Sequence, residues 1–543
     1  MNLKSAVRIL LVILTTNIQF SVHAQSHISD LQIYDETERD LQLNGKTDSL
    51  ISFCVRPLNT NIFRPDLIGQ DYLVGKIRLY DCTFKKKYLL LPFEFKQQFN
   101  TDHPYGWNDG SMIPAKGYQT QLSFGAFVQK GIISLQLRPE IIFAQNSSFK
   151  TFPAQQTDSI WKTYYSVVLN KIDAPERFGR GSYLRVFPGQ SALRVNYHKL
   201  SVGISTENLW WGPGVRNALI MSDNAPGFPH FSFNSLQPVR SSIGSFEWQL
   251  ISGKLKGSGI QPDTTRKFNG QSLYIPKGNG DRYFNGIVAT WQPKWTKGLF
   301  LGFSRVFYQN VSDVSSSFNG YLPVFGKLFK GGLSNEDEKK RDQILSFFVR
   351  FILPKERAEL YAEYGRNDHS QNARDFLLEP DHSRAYIIGF SKTFERLSND
   401  IRLFGEITNV QIPSTILLRP QESWYAHYQV RYGYTNYGQV IGAGIGPGGS
   451  SQTIGLQWGK AFNKIGGTIE RVVHNNDFYY YAFAPSEQWQ KHWVDLSLNF
   501  NKSWFSKRIL YEARISLVNS LNYQWYYTNV VNLNARFAVA YLF

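Results

Sequence analysis

The C-terminal segment VVNLNARFAVAYLF, residues 530–543, constrains the fold of this chain more than any other segment. Apolar side chains occupy every second position from Val531 to Phe543, while Asn532, Asn534 and Arg536 begin the opposite face. A β-strand points successive side chains to opposite faces. One face of this strand suits lipid and part of the other suits a wet lumen, so the pattern predicts a membrane-spanning strand.

The same alternation recurs upstream in HWVDLSLNF (492–500), AELYAEYG (358–365) and IRLFGEIT (401–408). Such segments are separated alternately by short turns, as at 354–357 and 463–464, and by long polar loops. Outer-membrane barrels have short periplasmic turns and long extracellular loops, whereas amphipathic helices need apolar spacings of three and four. We therefore predict an all-β protein, a transmembrane β-barrel of antiparallel strands in the cell outer membrane.

The number of strands is less tightly defined. Roughly 18 to 20 strand candidates follow Gln119, and the number must be even if the first strand leaves the periplasm and the last returns to it. The uncertainty lies between Pro413 and Ser450, where 437–444 is either a strand or a loop. The terminal Phe543 resembles the assembly signal of bacterial outer-membrane barrels. We therefore expect the barrel assembly machinery as a partner during biogenesis, with outer-membrane lipid around the finished protein.

Composition narrows the alternatives. The 543 residues are 42% hydrophobic and 15% aromatic, with a mean hydropathy of −0.31. After the N-terminus no stretch approaches the ~20 apolar residues that a membrane helix needs, which excludes a helical membrane protein. Alternation conceals the lipid-facing half of a barrel strand from such averages. Cys54 and Cys82 are too few for a disulfide-dense scaffold, and in an oxidising compartment they either pair or stay free.

Residues 1–24 predict a secretory signal peptide, with Lys4 and Arg8, an apolar core at 9–14 and the small-residue cleavage site Val22-His23-Ala24. Its removal lowers the net charge from +17 to +15, because Lys4 and Arg8 leave without an acid. Residues 25–117 are assigned to an N-terminal periplasmic or plug region containing a helix near 29–41. Residues 118–543 are assigned to the barrel with its long extracellular loops, and a second helical candidate lies at 158–169.

The segment 205–250 is the densest in residues suited to ligand binding. It has too many Gly, Pro and Asn for strands, yet it is rich in aromatic and hydrogen-bonding side chains. Aromatic rings cover the apolar faces of sugars, and planar polar groups pair with hydroxyls and carboxylates. The segment begins at an outward-going strand end, which places it outside the cell or inside the lumen. The alternative is a loop folded inward only to seal the pore.

At this segment the sequence resembles the capsule-assembly Wzi family of outer-membrane proteins, and the long form resembles its Bacteroidetes branch. The further matching motifs run in order along the chain: YGWNDGSMIPAKGYQTQLSFG (105–125), QLRPEIIFAQN (136–146), IDAPERFG (172–179), FPGQSALRV (187–195), AEYGRNDH (362–369), LLEPDHSRAY (377–386) and GYTNYGQVIGAGIGPGGSSQ (433–452). The resemblance implies a barrel of about 18 strands, closed at the periplasmic end by N-terminal helices. It also implies a lectin-like protein, not an enzyme, that attaches exported capsular polysaccharide to the cell surface.

A net positive charge attracts acidic surface polysaccharide. Strand arginines such as Arg350 and Arg402 instead favour internal pairing with Glu359, Glu363 and Glu406, since buried charges are usually paired. Loop residues are therefore the better polysaccharide-binding candidates: Trp210, Trp211, Arg216, Asn217, Asp223, Asn224, His230, Arg366, Asn367, Asp368, His369, Tyr434 and Asn436.

Two other functions remain open from the sequence: a porin or solute channel, which needs an open lumen, and an outer-membrane hydrolase. No HExxH, GxSxG or CxxC motif occurs in the sequence. His382 and His427 could join a metal or hydrolase site only if the fold brought them together. We predict a monomer with no cofactor, no metal and no nucleic-acid partner.

Overall fold

A computed structural model describes residues 26–27, 31–45, 50–59, 88–326, 339–367, 373–396, 399–413 and 421–543. The predicted signal peptide at 1–24, together with Cys82, Asp368 and His369, lies outside these described residues. Cys54 is buried.

The chain forms a closed barrel of 18 antiparallel strands. They are β1 (Tyr88–Asn100), β2 (Gly117–Lys130), β3 (Ile133–Leu137 and Glu140–Ala144), β4 (Tyr183–Phe187 and Ala192–Tyr197), β5 (Leu200–Ser205), β6 (His230–Ser235 and Val239–Ser241), β7 (Gly244–Leu255), β8 (Arg282–Pro293), β9 (Leu299–Asn310), β10 (Arg341–Leu353), β11 (Ala358–Asn367), β12 (Arg384–Arg396), β13 (Asn399–Asn409), β14 (Ser450–Lys460), β15 (Asn463–Val473), β16 (Val494–Ser506), β17 (Ile509–Leu521) and β18 (Val530–Tyr541). Each strand pairs with its neighbours in the sequence, and β18 closes the barrel on β1 from Asn534↔Asn100 to Tyr541↔Phe93.

The α-helices within the described ranges are α1 (Gln32–Leu43), α2 (Asp158–Tyr164), α3 (Phe318–Tyr321), α4 (Ala373–Leu378) and α5 (Asn476–Ala482). A π-helical turn, Tyr165–Leu169, continues α2, and 3-10 turns lie at Val311–Asp313, Pro323–Phe325, Pro354–Glu356, Ala484–Ser486 and Tyr523–Trp525. Two-residue ladders join Ser26–His27 to Leu58–Asn59, Val55–Arg56 to Trp210–Trp211, Lys267–Phe268 to Gln271–Ser272, and Thr435–Asn436 to Gln439–Val440. None of the helices in this part of the chain is long and apolar enough to cross a membrane.

The expected all-β barrel is confirmed, and the open strand count resolves to 18. The segment 437–444 contributes no barrel strand, because Gln439–Val440 pairs with Thr435–Asn436 in a small hairpin. The barrel also begins earlier than the sequence assignment of 118–543. Its first strand, Tyr88–Asn100, lies within the segment assigned to the N-terminal region, where Pro92 and a register shift between Leu91 and Glu94 interrupt the alternation. The N-terminal helix runs from Gln32 to Leu43, and the second predicted helix is α2 with its π-helical turn.

The two ends of the barrel differ in the length of their connections. Short connections such as 131–132, 198–199 and 507–508 lie at the end where the chain terminates, and long loops lie at the other end. Short turns face the periplasm in such barrels and long loops face the outside of the cell. Alternate strand residues such as Ile454, Leu456 and Trp458 are exposed on the outer wall, as a lipid-facing surface requires.

Helix α1 lies inside the periplasmic end of the barrel. Its Ile33, Tyr34 and Leu41 pack with Phe462 and Leu510 of the wall in one buried cluster. Asp40 forms an ion pair with Lys464, and the Arg39 guanidinium lies 3.0 Å from a carboxylate oxygen of Glu359. Burial of this apolar face and pairing of these charges fix the N-terminal segment in the lumen.

The loop between β5 and β6, residues 206–229, also folds into the lumen, and we call it the inward loop. Trp211 is fully buried, and its indole nitrogen donates to Gln249 Oε1 at 2.7 Å. Gly286 of the wall is necessary for this approach, because a Cβ there would lie 2.9 Å from the Trp211 ring. The inward loop and the segment 421–445 together form an apolar core inside the barrel that includes Leu219, Tyr425 and Tyr434.

Candidate functional site

The residues predicted from the inward loop lie inside the barrel, where they hold the loop to its surroundings. The Arg56 guanidinium lies 4.5 Å from the centre of the Trp210 ring, and Trp211 pairs with the strand segment Val55–Arg56. Arg216 Nη2 donates to Glu470 at 2.9 Å. These contacts are internal, as expected of a loop that closes the lumen.

A single wall carboxylate positions the turn of the inward loop. Glu406 accepts hydrogen bonds from the backbone N–H groups of Val215, Arg216 and Asn217 at 2.7, 3.0 and 2.8 Å. Asn217 is fully buried. A carboxylate that accepts several charge-assisted hydrogen bonds is a strong anchor in a buried environment. The sequence predicts that Glu406 pairs with arginines, whereas in the structure it accepts hydrogen bonds from backbone amides.

The other predicted residues of this region are likewise bonded internally. Asp223 accepts from Asn208, Asn224 Nδ2 donates to the Val440 carbonyl at 2.9 Å, and His230 Nδ1 lies 2.8 Å from the Phe228 carbonyl. Further along the chain, Tyr434 donates to the Ile220 carbonyl at 2.8 Å and Asn436 to the Pro226 carbonyl at 2.9 Å. Tyr434 and Asn436 are both buried. This group of residues therefore forms one connected interior beneath the extracellular loops.

An open cleft of about 550 Å³ lies above this interior, at the end with the long loops. We call it the extracellular cleft, and among the described residues of the predicted set Asn367 lines it. Arg366 lies beside it and donates to the Glu379 carbonyl at 3.2 Å. The cleft is built from α2 and its π-helical turn, the extracellular ends of β10 and β11, α5 and segments of two loops. Its lining is Thr163, Ser166, Val167, Lys171, Arg341, Asp342, Asn367, His382, Ser383, Gln421, Glu422, Ser423, His427, Tyr428 and Tyr481.

Three side-chain atoms in the extracellular cleft have no hydrogen-bond partner within the described residues: Asn367 Oδ1, Ser383 Oγ and Gln421 Nε2. These residues are nonetheless held together, since the Ser383 N–H donates to Gln421 Oε1 at 2.5 Å and the Asn367 N–H to the Ser383 carbonyl at 3.0 Å. Asn367 and Ser383 are 4% and 3% exposed. Because an unsatisfied buried polar atom costs about 1–3 kcal/mol, such a cluster favours a ligand or water that can both donate and accept.

Aromatic rings and one ion pair border this polar cluster. Tyr428 and Tyr481 are each 42% exposed, and the Tyr428 ring stacks on His427. Lys171 Nζ lies 2.7 Å from a carboxylate oxygen of Glu422. Partial burial, with Asp477 and Glu422 nearby, raises the pKa of Tyr481 to about 12, so its hydroxyl is protonated at neutral pH. Exposed ring faces beside hydroxyl and amide groups can cover the C–H faces of a sugar and bond to its hydroxyls.

A second groove of about 580 Å³ adjoins the cleft and shares Ser166, Lys171 and Tyr428 with it. Its far side is the hairpin Lys267–Phe268 with Gln271–Ser272, and Arg431 lies at its border. Lys162 Nζ lies 5.0 Å from the centre of the Phe268 ring, which connects α2 to this hairpin. The two clefts therefore form one continuous surface.

The acidic groups of the cleft already have partners. Glu422 pairs with Lys171, and Asp342 accepts from the Tyr308 hydroxyl at 2.6 Å. His382 and His427, which the sequence offered as parts of a metal or hydrolase site, do line the same cleft. Within the described residues, however, no group of three or more His, Cys, Asp or Glu side chains is placed to hold a metal ion. The arrangement suits binding of a hydroxyl-rich ligand.

The sequence interpretation missed Lys171, Ser383, Gln421, Tyr428 and Tyr481. The segment QESWYAHYQVRYGY, residues 421–434, combines aromatic and polar side chains as densely as the inward loop does. This composition could have identified it as a candidate binding segment. Position in the chain could not have identified these residues, because the cleft joins residues from six separate segments. Which of these segments face outward depends on how the loops fold over one another.

These features define a class: an outer-membrane β-barrel of 18 strands whose lumen contains its own N-terminal helix and inward loop. A family model described as capsule assembly protein Wzi matches residues 97–522. The chain belongs to this family, which confirms the resemblance seen in the sequence motifs.

A solved structure has the same fold. Wzi of Escherichia coli, an outer membrane protein involved in group 1 capsule assembly and described as a carbohydrate-binding β-barrel, superposes with a TM-score of 0.64 at 13% identity. The match covers 96% of this chain and 100% of that chain. OccAB2 of Acinetobacter baumannii and OpdQ of Pseudomonas aeruginosa match with TM-scores of 0.40 and 0.37 at 10% identity, covering 84% of this chain and 98% and 97% of theirs. Among curated protein sequences, none is similar to this chain at a significant level.

Proposed function

We propose that this protein binds exported capsular polysaccharide at the extracellular cleft and attaches it to the cell surface without chemical turnover. The observation that carries the proposal is the cluster of Asn367, Ser383 and Gln421, whose polar atoms without a hydrogen-bond partner among the described residues lie beside the exposed rings of Tyr428 and Tyr481. Family membership supports a role in capsule assembly. The carbohydrate binding described for Wzi of Escherichia coli supports the ligand class.

The occupied lumen favours attachment over transport. Arg39 of α1 donates both to Glu359 of the wall and to the Pro213 carbonyl of the inward loop, at 3.0 Å in each case. The wall, the N-terminal segment and the inward loop thus meet at one point inside the barrel. A porin needs a water-filled path through this region, and the alternative of a solute channel receives no support from it.

Binding of polysaccharide purified from the producing strain tests the cleft directly. Replacing both Tyr428 and Tyr481 by alanine removes the exposed rings, and we expect affinity for that polysaccharide to fall at least about tenfold, which corresponds to ~1.4 kcal/mol. Biolayer interferometry on the purified full-length barrel measures the change. The matched control is Trp295→Ala, which removes a 70% exposed ring from the periplasmic end.

The control variant is expected to bind like the parent, and all variants should retain heat-modifiable migration on gels. Full affinity in the double variant would reject the extracellular cleft as the binding site. In cells, deletion of the gene should release capsular polysaccharide into the medium while its synthesis continues. Unchanged cell-bound capsule in the deletion strain would contradict the attachment role.

A further inference from the structure

The outer wall of the barrel carries a depression of about 760 Å³ that extends from β11 to β17. Its surface is mostly apolar and comprises exposed side chains that include Leu360, Ile388, Ile407, Ile454, Ile469 and Leu498. The outside of a barrel is convex, so a concave region across several strands needs a local cause. It lies on the membrane face, apart from the extracellular cleft.

Gly405 supplies that cause. It faces the lipid side of β13 and pairs with Phe390 of β12. A Cβ at Gly405 would lie 2.8 Å from Cε1 of the Phe390 ring, so this ring lies against the sheet where a side chain would otherwise stand. The wall is therefore thin at this point, and neighbouring branched side chains form the sides of the depression.

The extracellular end of the depression is polar. Arg471 is exposed on the outer face two residues before β15 ends, and its Nη1 donates to Gln452 Oε1 at 2.8 Å. Asn519 lies at the same height on the barrel wall as Arg471, because Arg471 pairs with Leu496 and Leu496 pairs with Asn519. Within the described residues, no carboxylate lies within ion-pairing distance of the Arg471 guanidinium. Its charge thus faces the membrane with the Gln452 amide as its hydrogen-bond partner in the described part of the chain.

We propose that this depression binds one phosphorylated glycolipid of the lipid A class from the outer leaflet. The acyl chains lie on the apolar wall and a phosphate accepts from the Arg471 guanidinium. A planar guanidinium matches phosphate geometry with paired hydrogen bonds. The amides of Gln452 and Asn519 supply further hydrogen bonds to the sugar headgroup. A charged side chain on a lipid face is tolerated better near the membrane interface than at the midplane, and a phosphate on Arg471 offsets the remaining cost.

Native mass spectrometry of the full-length protein tests the proposal. The protein is released from vesicles of phosphatidylethanolamine containing either lipid A or the same amount of dephosphorylated lipid A. We expect one lipid A molecule to remain bound to the parent, at least fivefold more often than the dephosphorylated form. Arg471→Gln should remove that preference. Lys502→Gln, which neutralises an exposed lysine near the periplasmic end of β16, should keep it.

A second variant tests the apolar part of the site. Leu498→Trp partly fills the depression but leaves Arg471 in place, and we expect it to reduce lipid A retention at least threefold. Each variant is first checked for heat-modifiable migration, so that only folded barrel is compared. Equal retention of both lipids by the parent, or an unchanged preference in Arg471→Gln, would overturn the proposal. Loss of the preference in Lys502→Gln to the same extent would also overturn it, because charge anywhere on the wall would then suffice.

Discussion

Asp477 is one of the residues through which solution pH acts on the extracellular loops. It lies in the first turn of α5, between the backbone of Gly448 and the start of the loop after β13, and the Ile412 N–H donates to its Oδ1 at 2.9 Å. Burial raises its pKa from 3.8 to about 7, although hydrogen bonds from Ile412 and Ser423 act in the opposite direction. Ser423 lines the extracellular cleft, so this carboxyl group is coupled to the cleft through one contact.

The sign of the pH dependence follows from this raised pKa. The folded protein retains the Asp477 proton up to about pH 7, whereas the unfolded chain releases it near pH 4. Its contribution to the free energy of unfolding therefore falls as the pH rises from about 4 to about 7, by up to ~1.4 kcal/mol per pH unit. We expect Asp477→Asn to be more stable than the parent at pH 8 and to show a smaller decline across this range. Guanidinium unfolding of the detergent-solubilised barrel at several pH values measures the free energy of unfolding of both proteins. Identical pH profiles for the two proteins would contradict this role of Asp477.

Single residues also mark the limit of the sequence interpretation. Trp211 and Asn367 look alike in sequence, since each stands among polar residues near the outer end of a strand. In the structure Trp211 is fully buried against Gln249 and Gly286, while Asn367 lines the open cleft. The residue types that bind sugars also stabilise a buried loop, because sugar binding and loop packing both need aromatic surface beside planar hydrogen-bonding groups. Residue type alone therefore could not separate the two.

At the scale of elements, the strands were predictable and the loops were not. Period-two alternation identifies β11, β13, β16 and β18, because one face of each strand meets lipid and the other meets the interior. It fails in β1, where Pro92 and the register shift break the pattern, and this strand was consequently assigned to the N-terminal region. The path of the inward loop depends on contacts with Glu406, Glu470 and Arg39, which lie more than 170 residues away in the sequence.

Helix α1 is held in the lumen by a buried charge cluster that can be tested. Glu359 lies between two guanidinium groups, 3.0 Å from Arg39 and 2.6 Å from Arg350, and all three side chains are almost fully buried. We expect Glu359→Gln to destabilise the protein by about 3–5 kcal/mol, because two buried cations lose their counter-charge. Guanidinium unfolding monitored by tryptophan fluorescence gives the change in free energy.

The matched control is Glu395→Gln in the neighbouring strand β12. Glu395 is largely exposed and lies 3.6 Å from Arg357, so its removal should have little effect on stability. A similar small effect in both variants would show that the cluster does not hold α1 in place.

At the scale of the whole molecule, the occupied lumen predicts poor conduction. Purified protein in a planar lipid bilayer should show little steady ion conductance. Deletion of residues 31–59 removes α1 and the segment that pairs with Trp210–Trp211, and we expect it to raise conductance several-fold. Large, steady conductance through the undeleted protein would contradict this expectation and would favour the solute channel.

The ladder between β1 and β18 has a consequence for how the protein is made. This ladder closes the barrel, and its two strands come from opposite ends of the chain, beginning at residues 88 and 530. Helix α1 precedes the first strand, yet it packs against Ala538 and Ala540 of the last. The contacts of α1 with Ala538 and Ala540 therefore cannot form before the last strand has been synthesised. The N-terminal helix in the lumen thus depends on the same strand that closes the barrel.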